Sequence, residues 1–308
     1  MGMNFFRNLW TSGRPVCSVE FFPPKNEETA KQFLLTADRL KGYRPDFVSM
    51  TYGAGGSSRD RSIGFGQQLR KDFGYEVLPH LTCVGHSRSE IDSILNDFRD
   101  SGFQGIMALR GDPPQGESTF EPHPDGLRYA TDLVRFIQEK DPSFALGVAG
   151  YPEKHPESPS AEEDLRHLVT KVSAGADFIT TQLFFDNEDY FRFVANCRKA
   201  GISIPILPGI LTAVSWKQVT RFCGMCGSRI PPKLAAQLEE AAGDPAKEAE
   251  VGINWAKNQV IELLQSGAPG FHLYILNRSK PALELMHRLD EELGSDFRSI
   301  RKDPSGSL

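Results

Sequence analysis

Cysteine is scarce in this chain, with five in 308 residues, at positions 17, 83, 197, 223 and 226. So sparse and odd a set excludes a disulfide framework. Long apolar runs are lacking too, and none approaches the roughly 18 residues that a membrane helix needs. The stretch from Met1 to Pro15 sets Arg7 and Arg14 around a short apolar segment and carries no cleavage-site pattern. A soluble, cytoplasmic protein is expected, with no membrane partner. Nor is there a basic excess. The 35 Lys and Arg residues against 40 Asp and Glu leave a formal charge of -5 and are not clustered, so no nucleic-acid partner is expected. Gly/Ser-rich linkers, internal repeats and low-complexity stretches are missing until the polar residues after Gly294. The expected organisation is one domain over residues 1–293, then a polar, disordered tail over 294–308.

What is present is a core. With 39% hydrophobic and 24% charged residues, the chain can bury a large apolar interior. Short apolar runs rich in β-branched and aromatic residues alternate with stretches of helical periodicity, the pattern of repeated βα units. The runs are Val16–Phe22, Phe47–Tyr52, Val77–Cys83, Gly105–Arg110, Phe144–Gly150, Phe178–Phe184, Ile204–Ile210 and Gly270–Leu276. Between them lie amphipathic stretches such as Glu27–Leu40, Ser89–Ser101, Gly126–Glu139, Ala161–Ala174 and Asp189–Ala200. Eight strands, each followed by a helix, predict a (β/α)8 TIM barrel. The long interval from Val214 to Gln265 predicts extra helices between strands seven and eight, over Ser215–Cys223, Pro231–Ala242 and Ala246–Ser266.

Active sites of this fold sit at the carboxyl ends of the strands. The polar residues there are Glu20, Thr51, His80 with Thr82, Arg110 with Asp112, Tyr151, Gln182, and Asn277 with Arg278. Glu20 lies in Cys17-Ser-Val-Glu20-Phe-Phe-Pro-Pro24 between apolar neighbours. Poor solvation should raise its pKa and make it a usable general acid near neutral pH; the other reading is a structural ion pair across the barrel, to Arg278 or Arg110. Leu109-Arg110-Gly111-Asp112-Pro113-Pro114 ends the fourth strand with a glycine and a carboxylate in a rigid turn. Gly53-Ala54-Gly-Gly56-Ser-Ser58 could cradle an anion or simply turn, and matches neither G-x-G-x-x-G nor a P-loop. After the fifth strand come Tyr151 and His155, then Asp164, His167 and Lys171 spaced along one helix. That face could hold a ribose and phosphates, or only solvent. Gln218 and Phe222, four apart, could share the barrel mouth. Cys223 and Cys226 form a single CxxC without a second pair or a nearby histidine, so no metal site is expected.

Taken together, Val19-Glu-Phe-Phe-Pro-Pro24, Thr51-Tyr-Gly-Ala-Gly-Gly56, Pro79-His-Leu-Thr-Cys83, Leu109-Arg-Gly-Asp112, Tyr151-Pro-Glu with His155-Pro156, Thr181-Gln182, Pro208-Gly-Ile-Leu211 and Leu276-Asn-Arg278 resemble the methylenetetrahydrofolate reductase family. The resemblance runs in order from about residue 15 to 290. It implies an FAD-containing barrel that reduces 5,10-methylenetetrahydrofolate to 5-methyltetrahydrofolate with NADH or NADPH, in ping-pong order through one shared cleft. On this resemblance Glu20 is the general acid that opens the folate's five-membered ring, and Asp112 tunes the flavin and the cationic folate intermediates. Thr51, Tyr52, Ala54, His80, Arg110, Gly111, Asp112, Tyr129, Ala130, Tyr151, His155, Asp164, His167 and Lys171 match the flavin site. Gln182, Gln218, Phe222 and Arg278 match substrate contacts. Relatives commonly self-associate, so a homo-oligomer is implied. His167, Thr170 and Thr212 depart from residues that many bacterial members carry. Relatives with a long carboxyl-terminal regulatory domain bind S-adenosylmethionine there; none follows within these 308 residues, and inhibition by that compound is not expected. Two other classes stay open: a flavin-free barrel lyase using Glu20 and Asp112 as an acid/base pair, and a non-catalytic folate-binding module. No lysine lies in the eight strand runs, which weighs against a Schiff-base aldolase.

Overall fold

Eight parallel strands hydrogen-bond in chain order and close on themselves in the computed structural model, which describes residues 4–52, 59–112 and 120–294, with the side chains of 59 and 60 outside that set. The strands are β1 (Val16–Phe21), β2 (Phe47–Met50), β3 (Val77–Thr82), β4 (Gly105–Leu109), β5 (Ala145–Gly150), β6 (Phe178–Leu183), β7 (Ile206–Leu211) and β8 (Gly270–Tyr274), with β8 pairing back onto β1. The helices are α1 (Phe5–Asn8), α2 (Glu27–Leu40), α3 (Arg59–Phe73), α4 (Arg88–Asp100), α5 (Ala130–Lys140), α6 (Ala161–Ser173), α7 (Asn187–Lys199), α8 (Trp216–Cys226), α9 (Pro232–Ala241), α10 (Pro245–Gln265) and α11 (Ser279–Leu293). The expected (β/α)8 barrel is therefore the observed one, and α8, α9 and α10 fill the long interval before β8.

Local chemistry explains where the helices begin. Asn26 and Thr29 form a reciprocal capping box at α2, and Ser87 with Glu90 does the same at α4. Two of the boundaries that differ from the sequence reading have visible reasons. The helix expected from Gly126 starts at Ala130, because Gly126 instead forms a bridge to Ser87. The strand expected from Ile204 starts at Ile206; Pro205, which has no N–H to give a ladder, accepts from Ile179 N with its carbonyl.

Side chains alternate along each strand, so every second residue enters the barrel. At the amino-terminal end these are Val16, Phe47, Leu78, Ala145, Phe178 and Leu207. The short α1, not among the helices read from periodicity, closes this end by placing fully buried Phe6 against Phe47 and Phe178, at ring distances of 5.4 and 6.5 Å. The outer faces of the strands and the helices form a separate, larger apolar layer. Two residues further along the strands the lining turns polar: Ser18, Ser49, His80, Thr180 and His272 are all buried. Ser18 Oγ and His272 Nδ1 meet at 2.7 Å across the β1–β8 seam. The interior is thus graded, apolar at the plugged end and polar towards the mouth.

Candidate functional site

Glu20 sits one rung beyond Ser18 on β1, in register with Tyr274 of β8 and Ser49 of β2. Its side chain is 10% exposed, and Oε2 lies 3.7 Å from His80 Nε2. Burial pushes the Glu20 carboxyl up to about 8 and the His80 imidazole down to about 4. Both shifts favour the uncharged form. The two cations named for a structural ion pair with Glu20 are not its partners. Arg110 binds Glu157 through two bonds of 2.5 and 2.7 Å, and the guanidinium of Arg278 makes no hydrogen bond or ion pair among the described residues.

The linkage has a definite sign. In the unfolded chain Glu20 ionises in the ordinary carboxylate range; in the fold it keeps its proton until about pH 8. Folding therefore binds a proton at this site, and stability falls as pH rises between those values. Against Glu20→Gln, the wild-type protein should lose about 3 kcal/mol of relative stability between pH 4.5 and 7. Denaturant melts of both proteins across that range check this; parallel pH profiles would contradict it.

Gly111 and Asp112 follow β4. Gly111 has φ +89°, where a Cβ would lie 2.8 Å from Val84, so glycine is required for the turn that presents the exposed Asp112 carboxylate. The charge on Asp112 reaches Tyr151, Arg110 and Cys226. Burial, with the charges of Asp112 and Asp164, raises the Tyr151 hydroxyl, and the Cys226 thiol is pushed up to about 11, again chiefly by burial.

The loop after β5 is internally built. Asp164 accepts from His155 N and Ser158 Oγ, both at 3.1 Å, and Lys154 Nζ donates to the carbonyls of His155 and Ser158. The Tyr151 and His155 rings meet edge-to-face at 4.6 Å. Lys171 donates to Ala149 O at 2.7 Å, and burial pushes it down to about 8 although Asp164 opposes the shift. Asp164 and Lys171, seven residues apart, share the inward side of α6. His167 projects towards solvent instead: its side chain is 62% exposed and lies 3.4 Å from Glu163. Tyr52 meets His86 through its hydroxyl at 3.0 Å. Thr51 is half-buried at the end of β2, and exposed Tyr129 caps α5 ahead of Ala130. Ala54, with the whole Gly53–Ser58 loop, lies outside the described residues.

Beside this loop, where Gly227 adjoins Pro156 and Arg229 binds Glu153, α8 packs over β6, β7 and β8. Phe222 packs on the cluster that contains Leu183 and Leu211 and that Tyr274 and Leu276 also join. Gln218, one turn earlier, is half-buried. Gln182 Oε1 accepts from Leu183 N at 2.8 Å, where the β6–β7 register shifts, leaving its NH2 donors uncommitted. Tyr274 steadies that irregularity by donating to Thr181 O at 2.6 Å. It can do so because Gly209 stands between: a Cβ there would lie 2.3 Å from Thr181 O and 2.6 Å from the Tyr274 ring. Tyr274, His272 and Glu157 escape a reading of strand ends, although the spacing of two in Ser18/Glu20 and His272/Tyr274 carries the signal. Among the described residues, no group of three or more His, Cys, Asp and Glu could hold a metal ion, and no helix is long and apolar enough to cross a membrane.

Fold and site define a (β/α)8 barrel with a buried carboxylic acid at its mouth, flanked by an exposed carboxylate, an internally hydrogen-bonded loop and an amide-bearing wall. Residues 6–290 match the family model described as methylenetetrahydrofolate reductase. The chain is 40% identical over 272 residues to the 5,10-methylenetetrahydrofolate reductase of Salmonella typhimurium, covering 88% of this chain and 90% of that protein. It is 37% identical over 293 residues to methylenetetrahydrofolate reductase (NADH) 1 of Arabidopsis thaliana, covering 92% of this chain and 50% of that protein. It thus spans about half the length of the plant relatives and about nine-tenths of the bacterial ones. The chain belongs to the methylenetetrahydrofolate reductase family. In fold it is also similar to a Clostridium thermocellum protein described as binding two copies of 5-methyl-5,6,7,8-tetrahydrofolic acid, with a TM-score of 0.65 and 14% identity over 94% of this chain and 99% of that one.

Proposed function

We propose that this chain reduces 5,10-methylenetetrahydrofolate to 5-methyltetrahydrofolate with NADH or NADPH, through bound FAD. Glu20 is the observation that carries the reading. A carboxyl kept protonated to about pH 8 by burial, yet reachable from the mouth, is a proton donor suited to neutral pH. It gives its proton to the folate nitrogen that leaves as the five-membered ring opens, and the methylene carbon, then an iminium, accepts hydride. Asp112 places a negative charge where cationic folate is favoured. Gln182 and Arg278 offer donors, and Phe222 an aromatic face, to the pterin and its tail. The donor set suits an anionic dinucleotide. Lys171 and Arg110 are cations on that side, held by Ala149 O and Glu157, while His80 Nε2 and Thr82 Oγ1 are buried polar atoms without a hydrogen bond among the described residues. FAD in that cleft would supply hydride transfer between nucleotide and folate.

An anaerobic visible spectrum of the purified protein tests this. After loading with FAD, the expected result is a flavin band that bleaches with NADH or NADPH and returns when methylenetetrahydrofolate is added. A protein that takes up no FAD, or whose bleached band ignores the folate, would overturn the proposal and favour the flavin-free barrel.

A further inference from the structure

The turn between β8 and α11 has an unusual backbone. Leu276 and Asn277 both lie in the left-handed region, at φ 50° and 56°. Asparagine tolerates that conformation; leucine seldom adopts it, and such strain persists only where surrounding contacts over-determine it. Here the contacts are identifiable. The Asn277 amide pairs with both backbone groups of Phe22, accepting from Phe22 N at 2.9 Å and donating to Phe22 O at 2.8 Å. The β1–β8 ladder ends at Glu20 and Tyr274. Past that point the β8 backbone turns away, and the Asn277 side chain supplies the next rung of pairing. Thr36 Oγ1 on α2 donates to Asn277 O at 3.2 Å, and Arg278 N closes the turn onto Ile275 O at 2.8 Å. Leu276 packs into the cluster that also takes Phe222. Three successive residues thus tie three things together: Leu276 the substrate helix α8, Asn277 the strand that bears Glu20, and Arg278 an uncommitted guanidinium at the first residue before α11.

We propose that Asn277 is a positioning residue, whose amide clamp on Phe22 sets the distance between the proton donor Glu20 and the Arg278 guanidinium that holds the folate. This rests on the roles given above to Glu20 and Arg278. The clamp is polar and bidentate, so it fixes orientation as well as separation. It acts on the folate side of the mouth only; the loop after β5 that bears Tyr151 and His155, with Lys171 on α6, lies across the barrel and makes none of these contacts.

The test is Asn277→Gly, which keeps a backbone able to adopt the left-handed turn and removes the clamp, beside Asn277→Asp, which keeps the acceptor for Phe22 N and loses the donor to Phe22 O. Flavin reduction by NADH or NADPH and folate turnover are measured separately. For Asn277→Gly we expect KM for methylenetetrahydrofolate to rise on the order of ten- to a hundredfold, with flavin reduction at the wild-type rate and Asn277→Asp in between. A wild-type KM in Asn277→Gly would overturn the proposal. So would equal losses in both half-reactions together with a lowered melting temperature, since those mark a purely structural role. Failure of the wild-type protein to turn over folate at all would instead overturn the functional reading on which the clamp depends.

Discussion

On the proposed function, Glu20→Gln is expected to abolish folate reduction while leaving reduction of the flavin by NADH or NADPH nearly intact. The glutamine is close to isosteric with the neutral acid that the fold already holds, so binding and packing should survive, but it has no proton to give. Loss of a positioned general acid costs roughly 10²- to 10⁴-fold in the step that needs it. Hydride transfer from the nucleotide needs no such proton, so stopped-flow traces of the two half-reactions should separate. Equal slowing of both would remove Glu20 from the role of acid. The same substitution should stabilise the protein near neutral pH, because it takes away a carboxyl that folding forces to stay protonated up to about pH 8. Activity lost and stability gained by one change is the mark of a residue retained for chemistry at a cost to the fold.

Phe6→Ala is expected to produce the largest loss of stability by packing alone. Phe6 is fully buried at the closed end of the barrel, among Phe47, Leu78, Phe178 and Leu207. Truncation to alanine in such a place costs about 3–5 kcal/mol, since rigid strand backbones cannot collapse to fill the cavity. The mouth lies at the other end of the strands, so the folded fraction should keep its KM for folate. A denaturation midpoint close to wild type would show that α1 is not a plug; a raised KM at full folding would show that the two ends are coupled.

Much of the architecture was legible from residue order. The run Phe178–Phe184 and its seven counterparts carry the apolar, β-branched and aromatic composition of buried parallel strands, and Glu27–Leu40 has helical spacing between its own capping residues. The plug was not legible, because Phe5–Asn8 is a single turn, too short for any period to register, and its burial depends on strand starts far away in sequence. The polar lining of the mouth was legible in outline. Glu20, Asp112, Gln182 and Arg278 stand at strand ends, and strand ends meet at one mouth. The direction of His167 was not legible, because spacing of three or four along α6 leaves open which neighbour its ring meets, and contact with Glu163 decides it. Tyr274 passed unnoticed because an aromatic residue in a strand reads as core until Gly209 is seen to open the space across it.

By itself, the sequence determined the number and order of the strands, the closure they imply and the carboxylates and amides brought to the mouth, since periodicity and position within a repeated unit are local properties. Only the tertiary structure decided the burial that pushes Glu20 and His80 towards their uncharged forms, the partner of Arg110 and the clamp of Asn277 on Phe22. Those depend on desolvation and on hydrogen bonds between residues as far apart as 255 positions in the chain, which exist only once the barrel has closed.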